Sequence, residues 1–361
     1  MNATAQKKIV PNKVLVTGAS GLLGVAAIEK FLSAGWEVVG VSRRKPELPS
    51  GRDVEFLSVD LRDEKAARAA FEPLTDITHI AYTALHEKPE LVAGWSSKEQ
   101  IEINNAMLRN VVEPIVRTAP NFKHISILQG TKIYGVHLHP IPIPARERDA
   151  RNDHQNFFFD HEAYVLEMGA QHGFNYTALR PQLVTGPTPG ALNVLPAIGV
   201  YAAIRRERGE PFGFPGGPSF VWEAVDADLV ADVMVWAAQS PQAANEAFNI
   251  TNGDPWPKPS VSKPGRTCQR AWQPTSWKTR MCGTRSSRST IFARAIYGSW
   301  CQGDQHADFA FAYGAREGPR AFVSTIKLRQ AGFTKTIDTE DSFRNALQSL
   351  IDHRLLPPAA K

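Results

Sequence analysis

The sequence predicts an α/β protein in which helices cover both faces of a parallel β-sheet, a doubly wound arrangement. Short apolar runs alternate with longer helical stretches from Lys13 to Thr185, and this alternation is the pattern of βαβ units. A glycine-rich loop directly follows the first apolar run. The chain has 361 residues, 43% of them hydrophobic, which is enough to bury one large core with a smaller C-terminal lobe.

The first half of the chain contains six predicted strands and four predicted helices. The strands are Lys13–Val16, Glu37–Ser42, Val54–Val59, His79–Tyr82, His124–Leu128 and Tyr176–Leu179. The helices are Leu22–Ala34, Lys65–Phe71, Lys98–Thr118 and His161–His172. Gly35 follows the first helix and suits the left-handed conformation in which many helices end.

The second half of the chain is less regular. Its predicted elements are a helix at Ala197–Arg205, a strand and then a helix within Phe220–Ala238, a strand at Phe248–Ile250, and two helices within Val323–Leu355. Between Pro255 and Gly303 the residues show no sustained period of either two or 3.6, so this segment is expected to be irregular.

Charge, cysteine content and hydropathy argue against several classes of protein. Nine Lys or Arg and no acidic residue lie between Pro255 and Gly303, and without them the chain has 32 basic against 36 acidic residues. The net charge of +5 therefore comes from one segment, and no basic stripe accompanies a nucleic-acid-binding module. The three cysteines match neither a metal site nor a disulfide framework. No apolar run approaches the roughly 18 residues of a membrane span, so we expect a soluble, cytoplasmic protein.

The loop after the first strand has the sequence Thr17-Gly18-Ala19-Ser20-Gly21-Leu22-Leu23-Gly24. Three glycines at this spacing let the backbone turn tightly, approach a pyrophosphate and direct helix N-terminal N–H groups at it. A glycine triplet can also be a simple turn, but here strand, loop, helix and second strand occur in the required order. The sequence therefore predicts a Rossmann-type dinucleotide site that contains Thr17, Gly18, Ser20, Gly21, Leu22, Leu23 and Gly24.

The end of the second strand predicts which dinucleotide binds. Ser42, Arg43 and Arg44 stand where NAD-specific folds usually carry an acidic residue for the ribose hydroxyls. Guanidinium groups bind the oxygens of a 2′-phosphate, which a carboxylate would repel, so NADPH is the expected cofactor. The alternative is that both arginines are only solvated residues at a strand end. Asp60, Leu61 and Arg62, after the third strand, are expected adenine contacts, although Asp60 could instead cap the next helix.

The remaining candidates follow other strands, at the sheet edge where open α/β folds bind ligands. The expected cofactor contacts here are Tyr82, Thr83, Ala84, Gln129, Lys132, Pro181, Leu183 and Val184. Short-chain dehydrogenases usually pair a Tyr with a Lys four residues later, but Tyr134 is followed by Leu138 and Tyr164 by Met168. Lys132, just after the fifth strand, is therefore the main catalytic candidate.

Several blocks of the sequence resemble the progesterone 5β-reductase and iridoid synthase family of extended short-chain dehydrogenases/reductases. The family's Thr-Gly-x-Lys-His-Tyr is similar to the segment ending Thr131-Lys132-Ile133-Tyr134, and its Asn-Phe-Tyr-Tyr-Asp is similar to Asn156-Phe157-Phe158-Phe159-Asp160. Further similar blocks are 105–110, 180–181, 200–204, 226–229, 245–253 and 324–333. The resemblance covers about Lys13 to Asp254 and resumes near Asp308.

The resemblance implies an NADPH-dependent reduction of the C=C bond of an enone. In the family, the Lys and the first Tyr of the Asn-Phe-Tyr motif flank the substrate carbonyl and stabilise the oxyanion of the developing enolate while hydride adds to the β-carbon. If this chain follows the family, Lys132 has the role of the family's Lys; alternatively, Lys132 binds only the nicotinamide ribose. The tyrosine position falls on Phe158, which has no hydroxyl group.

Three interpretations of Phe158 remain open from the sequence. Lys132 alone stabilises the oxyanion, at a cost of about 2.7 to 4 kcal/mol for the missing donor; or Tyr134 or Tyr164 replaces the missing hydroxyl; or the chain has lost turnover. Phe157–Phe159 could line the substrate pocket, form a buried start of a helix, or do both. His137, His139, His154 and His161 have no metal-ligand spacing, so no metal is expected and loop positions are favoured for them.

The resemblance also suggests a division of the chain. Residues 1–185, joined by residues 220–253, are the expected NADP-binding core, and residues 186–219 and 254–361 form the expected substrate-binding lobe. The resemblance fails over residues 255–305, where all three cysteines lie. Two explanations stay open for this segment: a stretch translated in a different reading frame, or a divergent lid over the substrate.

The sequence therefore predicts an NADPH-dependent enone reductase that acts on a small, mainly apolar substrate. Two other classes stay open. The first is a carbonyl reductase, hydroxysteroid dehydrogenase or epimerase of the same superfamily, which the missing Tyr-x-x-x-Lys pair disfavours. The second is an NADP-binding protein without turnover, which Phe158 and the unusual segment favour. Neither nucleic acid nor a membrane is an expected partner, and the oligomeric state stays open, with a homodimer as one option.

Overall fold

A computed structural model describes residues 12–88, 94–149, 154–190, 192–212, 218, 220–257, 310–312, 316–318 and 320–358. The three cysteines, residues 1–11 and nearly all of the segment 255–305 lie outside the described residues. The two explanations offered for that segment therefore stay hypotheses.

A seven-stranded parallel sheet forms the centre of the fold. Its strands, in chain order, are β1 (Lys13–Thr17), β2 (Glu37–Ser42), β3 (Glu55–Ser58), β4 (His79–Tyr82), β5 (His124–Leu128), β6 (Asn175–Pro181) and β9 (Glu246–Ile250). They are arranged in the order β3-β2-β1-β4-β5-β6-β9, and each neighbouring pair is parallel. The strand order reverses direction at β1, so the carboxyl ends of β1 and β4 border the crevice in which open sheets bind ligands.

Helices cover both faces of this sheet, which confirms the predicted doubly wound fold. On one face, α1 (Leu22–Ser33) packs against α6 (Ala227–Ala237), and both contribute buried residues to one core cluster. On the other face, α2 (Glu64–Phe71), α3 (Lys98–Thr118) and α4 (Phe157–His172) contribute to a second cluster. Strands β1, β2 and β4 each supply residues to both clusters, as expected for strands that are buried on two sides.

The remaining described elements form a smaller layer near the end of the sheet. A three-stranded sheet of β7 (Leu183–Thr185), β8 (Val221–Asp226) and β10 (Pro255–Pro257) lies here. It is accompanied by α5 (Leu195–Glu207) and α8 (Thr339–Asp352), whereas α7 (Ile326–Gln330) contributes Leu328 to the core cluster of the main sheet. The expectation of an irregular segment from Pro255 onward was wrong for its first three residues, because their backbone pairs antiparallel with β8.

Helix α4 begins at Phe157, four residues before the predicted start at His161. The reason is a side-chain cap, since the Asn156 Oδ1 atom accepts a hydrogen bond of 3.0 Å from the Phe158 N–H. Three consecutive phenylalanines obscured this start, because they do not show a helical period. The cap places Phe158 in the first turn of the helix, next to the carboxyl end of the sheet.

No described helix is both long enough and apolar enough to span a membrane.

Candidate active site

A cavity of about 710 Å³ opens at the carboxyl ends of β1, β2, β4, β5 and β6. It brings together the two catalytic candidates, Lys132 and Phe158, and every expected cofactor contact except Thr17. Those that line it are Gly18, Ser20, Gly21, Leu22, Leu23, Gly24, Ser42, Arg43, Arg44, Asp60, Leu61, Tyr82, Thr83, Ala84, Gln129, Lys132, Phe158, Pro181, Leu183 and Val184. Thr17 is fully buried beneath the loop, where its carbonyl oxygen accepts a hydrogen bond of 2.6 Å from the Thr83 hydroxyl.

The glycine loop forms a bare backbone cradle at one end of the cavity. Gly18 has a φ angle of +68°, and a Cβ atom there would lie 2.9 Å from the backbone of Thr83 and Ala84. Gly21 is the N-cap of α1, no side chain caps this terminus, and its first turn contains no acidic residue. The first N–H groups of the helix are therefore directed at the cavity without a competing side chain, an arrangement that suits a phosphate group.

Gly24 allows α1 to approach the loop closely. A Cβ atom at this position would lie 2.1 Å from the Gly18 carbonyl oxygen and 2.8 Å from the Ala19 Cα atom. We expect Gly24→Ala to lower the free energy of unfolding by about 1 to 3 kcal/mol, because the added methyl group meets backbone atoms that cannot rotate away. Urea unfolding measures this loss. The matched control is Gly190→Ala, since a Cβ at Gly190 meets nothing within 4 Å; equal midpoints for the two variants would contradict the prediction.

Basic side chains border the cavity beyond β2. The Ser42 hydroxyl donates a hydrogen bond of 2.6 Å to the Arg44 carbonyl oxygen and so fixes the turn that carries the two arginines. Arg43 and Arg44 are exposed and line the cavity. The next strand end adds a third guanidinium group, that of Arg62, which also lines the cavity.

Asp60 is paired with Arg62. The Arg62 Nη2 atom lies 2.6 Å from the Asp60 Oδ2 atom, and the Arg62 Nε atom lies 3.0 Å from Oδ1. This hydrogen bonding lowers the pKa of Asp60 to about 2, with a smaller contribution from the charge of Arg43. The Asp60 carboxylate is therefore ionised, and both of its oxygen atoms accept hydrogen bonds from Arg62. The expected adenine contacts Asp60 and Leu61 lie at the cavity wall, and Asp63, not Asp60, caps α2.

Lys132 lies at the opposite end of the cavity, in a single 3-10 turn, Thr131–Tyr134, that directly follows β5. Its side chain is 18% exposed, and its Nζ atom lies 3.8 Å from the Glu87 Oε1 atom and 4.0 Å from the centre of the Trp95 ring. Burial lowers the pKa of Lys132, and the charge of Glu87 opposes this effect. Neither Glu87 nor Trp95 was a candidate from the sequence, although Glu87 lies just beyond the end of β4.

Phe158 faces the same end of the cavity. The centre of its ring lies 5.7 Å from the Lys132 Nζ atom, and the residue is 5% exposed. Phe157 lines the cavity beside it, with 4.5 Å between the two ring centres. Both predicted roles of these phenylalanines therefore occur together: they form a buried helix start, and they line the cavity.

The two tyrosines considered as replacements for the missing hydroxyl lie elsewhere. The Tyr134 hydroxyl donates to the Asn249 Oδ1 atom at 2.7 Å and accepts from the Arg180 guanidinium at 3.2 Å. The ring of Tyr164 lies under the Arg109 guanidinium, 4.8 Å away. Neither side chain lines the cavity, so the structure does not support either as a replacement.

Apolar side chains dominate the space around Lys132 and Phe158. Val136, Leu192 and Trp222 line it, and the Trp222 ring also packs against Phe311, with 6.2 Å between the ring centres. This end of the cavity is suited to a ligand with few polar groups.

Histidines do not form a metal site here. His161 lies in α4, in agreement with the predicted helix His161–His172 and contrary to the loop position favoured for the four histidines. Its Nε2 atom is 3.1 Å from the Asn104 carbonyl oxygen. Burial lowers the pKa of His161 to about 4, so its ring is neutral near pH 7. Among the residues that the structure describes, no group of three His, Cys, Asp or Glu side chains is arranged to hold a metal ion.

A Rossmann sheet, a glycine cradle and a half-buried lysine at the carboxyl ends of the strands define a dinucleotide-binding protein of the extended short-chain dehydrogenase/reductase type. Residues 14–251 match the model of the NAD dependent epimerase/dehydratase family. The match covers well over half of the chain, and the protein belongs to this family.

Curated relatives confirm the narrower resemblance. The chain is 31% identical over 277 residues to an (S)-8-oxocitronellyl enol synthase of Antirrhinum majus, a match that spans 70% of this chain and 69% of the relative. It is 33% identical over 260 residues to a 3-oxo-Delta(4,5)-steroid 5-beta-reductase of Arabidopsis thaliana, spanning 66% and 64% of the two chains. The matches thus cover about two thirds of each relative.

Solved structures support the fold. UDP-glucose 4-epimerase of Thermotoga maritima superposes with a TM-score of 0.64 at 17% identity, covering 95% of this chain and 99% of that one. The Thermus thermophilus UDP-glucose 4-epimerase, solved in complex with NAD, gives 0.62 at 18% identity, covering 93% and 98%. At these identities the likeness establishes the architecture alone.

Proposed function

We propose that the protein is an NADPH-dependent reductase of the C=C bond of an enone, acting by 1,4-addition of hydride. The observation that carries this proposal is the position of Lys132: its ammonium group faces an apolar cavity end, next to Phe158, in a chain that lacks the Tyr-x-x-x-Lys pair of carbonyl reductases. The names of the two curated relatives support the same chemistry.

The residues of the cavity fit a dinucleotide that carries a 2′-phosphate. A Cβ atom at Gly18, Gly21 or Gly24 would lie within 3.2 Å of the protein's own backbone, so the three glycines permit the tight loop whose N–H groups suit a pyrophosphate. Arg43 and Arg44 line the same cavity at the end of β2, where there is no acidic side chain, and their guanidinium groups suit a 2′-phosphate. When bound, NADPH supplies the hydride.

Lys132 is the group of this chain that acts on the substrate. Its ammonium group donates a hydrogen bond to the carbonyl oxygen and stabilises the negative charge that develops there as the enone becomes an enolate. The effect is large because the Trp95 and Phe158 rings flank the ammonium group and exclude water from it. Phe157 and Phe158 contribute to this exclusion but donate no hydrogen bond.

A cofactor-binding protein without turnover is the second candidate, and Phe158 is the observation that favours it. The two functions differ in a direct assay. NADPH oxidation would be followed with progesterone, 8-oxogeranial and 2-cyclohexen-1-one, while NADPH binding is followed by its fluorescence. We expect oxidation with at least one enone and a product reduced at the C=C bond; binding without oxidation across the panel would favour the second candidate.

Phe158→Tyr is expected to raise kcat by about tenfold or more, because it returns a second hydrogen-bond donor to the oxyanion, and one such donor is worth about 10² to 10³ in rate. Steady-state rates at saturating NADPH measure the gain. Phe159→Tyr is the matched control, since Phe159 is adjacent in sequence but does not line the cavity. A gain of equal size in both variants would show that the hydroxyl does not act at Phe158.

A further inference from the structure

Glu87 is a buried carboxylate that the proposed reaction does not use. It lies in the loop after β4, and its side chain is 7% exposed. Its Oε2 atom accepts a hydrogen bond of 2.8 Å from the Gln100 amide on α3, which fixes the direction of the carboxylate. Its Oε1 atom faces the Lys132 Nζ atom at 3.8 Å. Burial raises the pKa of Glu87, whereas the charge of Lys132 and hydrogen bonds from Gln100 and Trp95 lower it and so favour the carboxylate.

Two aromatic rings complete the surroundings of the Lys132 ammonium group. The Trp95 ring centre lies 4.0 Å from Nζ, and the Phe158 ring centre lies 5.7 Å from it. Both distances are within the range in which a ring face attracts a cation. Trp95 is itself 5% exposed, so the ammonium group is held between one carboxylate and two rings at the cavity wall.

We propose that Glu87 is a positioning residue for Lys132: together with Trp95 it holds the ammonium group charged and directed at the substrate oxygen, in a site where Phe158 offers no hydroxyl. This inference rests on the proposed function for its role in catalysis, but the pairing of Glu87 with Lys132 can be measured without turnover. The negative charge of Glu87 also offsets the positive charge of Lys132 at the cavity wall. A neutral carbonyl compound therefore suits the site better than a substrate that carries a carboxylate.

Other titratable groups face Lys132 from neighbouring elements. The His154 Nε2 atom lies 3.2 Å from the Lys132 carbonyl oxygen, just before α4. His137 follows the 3-10 turn, and burial together with the charge of Lys132 lowers its pKa to about 4, so it is neutral near pH 7. Among the described residues, Glu87 is the one acidic side chain within 4 Å of the Lys132 ammonium group.

The sign of the expected effect follows from these contacts. Burial lowers the pKa of Lys132, and the Glu87 carboxylate raises it again. Replacing that carboxylate by an amide removes the opposing charge, so the pKa of Lys132 falls further. The basic limb of the activity profile, on which Lys132 loses its proton, then moves to lower pH.

The test compares the wild-type protein with Glu87→Gln. Lysines are labelled with ¹³C at Cε, the Lys132 signal is identified by its loss in Lys132→Arg, and its titration is followed by NMR in the presence of NADPH. We expect the Lys132 titration in Glu87→Gln to shift to lower pH by about one unit or more. An unchanged titration overturns the inference whether or not the protein turns over any enone.

The pH profile of enone reduction gives the catalytic readout. In Glu87→Gln we expect a basic limb displaced by the same amount and a kcat about tenfold lower near pH 8, with the KM for NADPH within about twofold of the wild-type value. Glu102→Gln is the matched control, since Glu102 is 64% exposed on α3. A wild-type protein that reduces no enone contradicts the proposed function alone, because the NMR titration still decides the pairing.

Circular dichroism checks that Glu87→Gln folds. If it does not, Glu87→Asp replaces it: this variant keeps the charge but withdraws it by one methylene group, so the Lys132 titration should shift in the same direction by a smaller amount. A Lys132 titration that is the same in Glu87→Asp as in the wild-type protein would then overturn the inference.

Discussion

Replacing Lys132 by alanine is expected to reduce kcat for enone reduction by about 1,000-fold or more. Removal of one oxyanion donor usually costs about 10² to 10³ in rate, and here Phe158 supplies no second donor at the same end of the cavity. The rate is measured as NADPH oxidation at saturating concentrations of both substrates, with the enone that the wild-type protein reduces best.

Two measurements make this result specific. NADPH binding to Lys132→Ala should weaken by less than about tenfold, because most of the expected phosphate contacts lie at the far end of the cavity, near Gly18 and Arg43. Lys98→Ala is the control for loss of a lysine, since the Lys98 side chain is 86% exposed at the start of α3. Activity that survives in Lys132→Ala would rule out the proposed mechanism.

The double variant Arg43→Ala and Arg44→Ala is expected to weaken NADPH binding by about 100-fold and NADH binding by less than about threefold. Hydrogen bonds to charged groups contribute about 1.5 to 3 kcal/mol each, and the upper part of this range is not reached because both guanidinium groups are exposed to solvent. Dissociation constants for the two cofactors, measured by fluorescence titration, give the ratio directly.

Salt and a control variant separate phosphate binding from a general loss of positive charge. The preference for NADPH in the wild-type protein should fall as ionic strength rises, since exposed charges are screened. Arg68→Ala removes an arginine that is 49% exposed on α2 and pairs with Glu72, and it should leave both constants unchanged. If the double variant loses affinity for NADH and NADPH equally, the arginines do not read the 2′-phosphate.

Local patterns predicted most of the fold. The alternation of apolar runs with helical stretches located all six predicted strands, and the bounds of β4, β5 and α3 agree with the structure at both ends. Strand β7 was missed because its three residues, Leu183–Thr185, are too few to show a period. Strand β10 was missed for the same reason, and also because two of its three residues are prolines.

The same patterns predicted one end of the site better than the other. Gly18, Ser42 and Arg43 were predicted because each lies at or immediately after the end of a strand, and the carboxyl ends of parallel strands meet at one edge of the sheet. Asp60, Leu61 and Arg62 were predicted on the same ground, because they follow β3, and all three line the cavity. Trp95 carries no such signal, because it lies in a long connection between β4 and α3 that has no regular period.

The sequence by itself determined the sheet, the glycine cradle, the basic strand end and the position of Lys132, because these features depend on residues that are close together in the chain. The tertiary structure alone decided what surrounds the Lys132 ammonium group. Glu87 and Trp95 come from the connection between β4 and α3, and Phe158 comes from the first turn of α4. Only the packing of α3 and α4 against the sheet places all three within 6 Å of Nζ. The charge and direction of that lysine depend on contacts between distant parts of the chain, which no local pattern records.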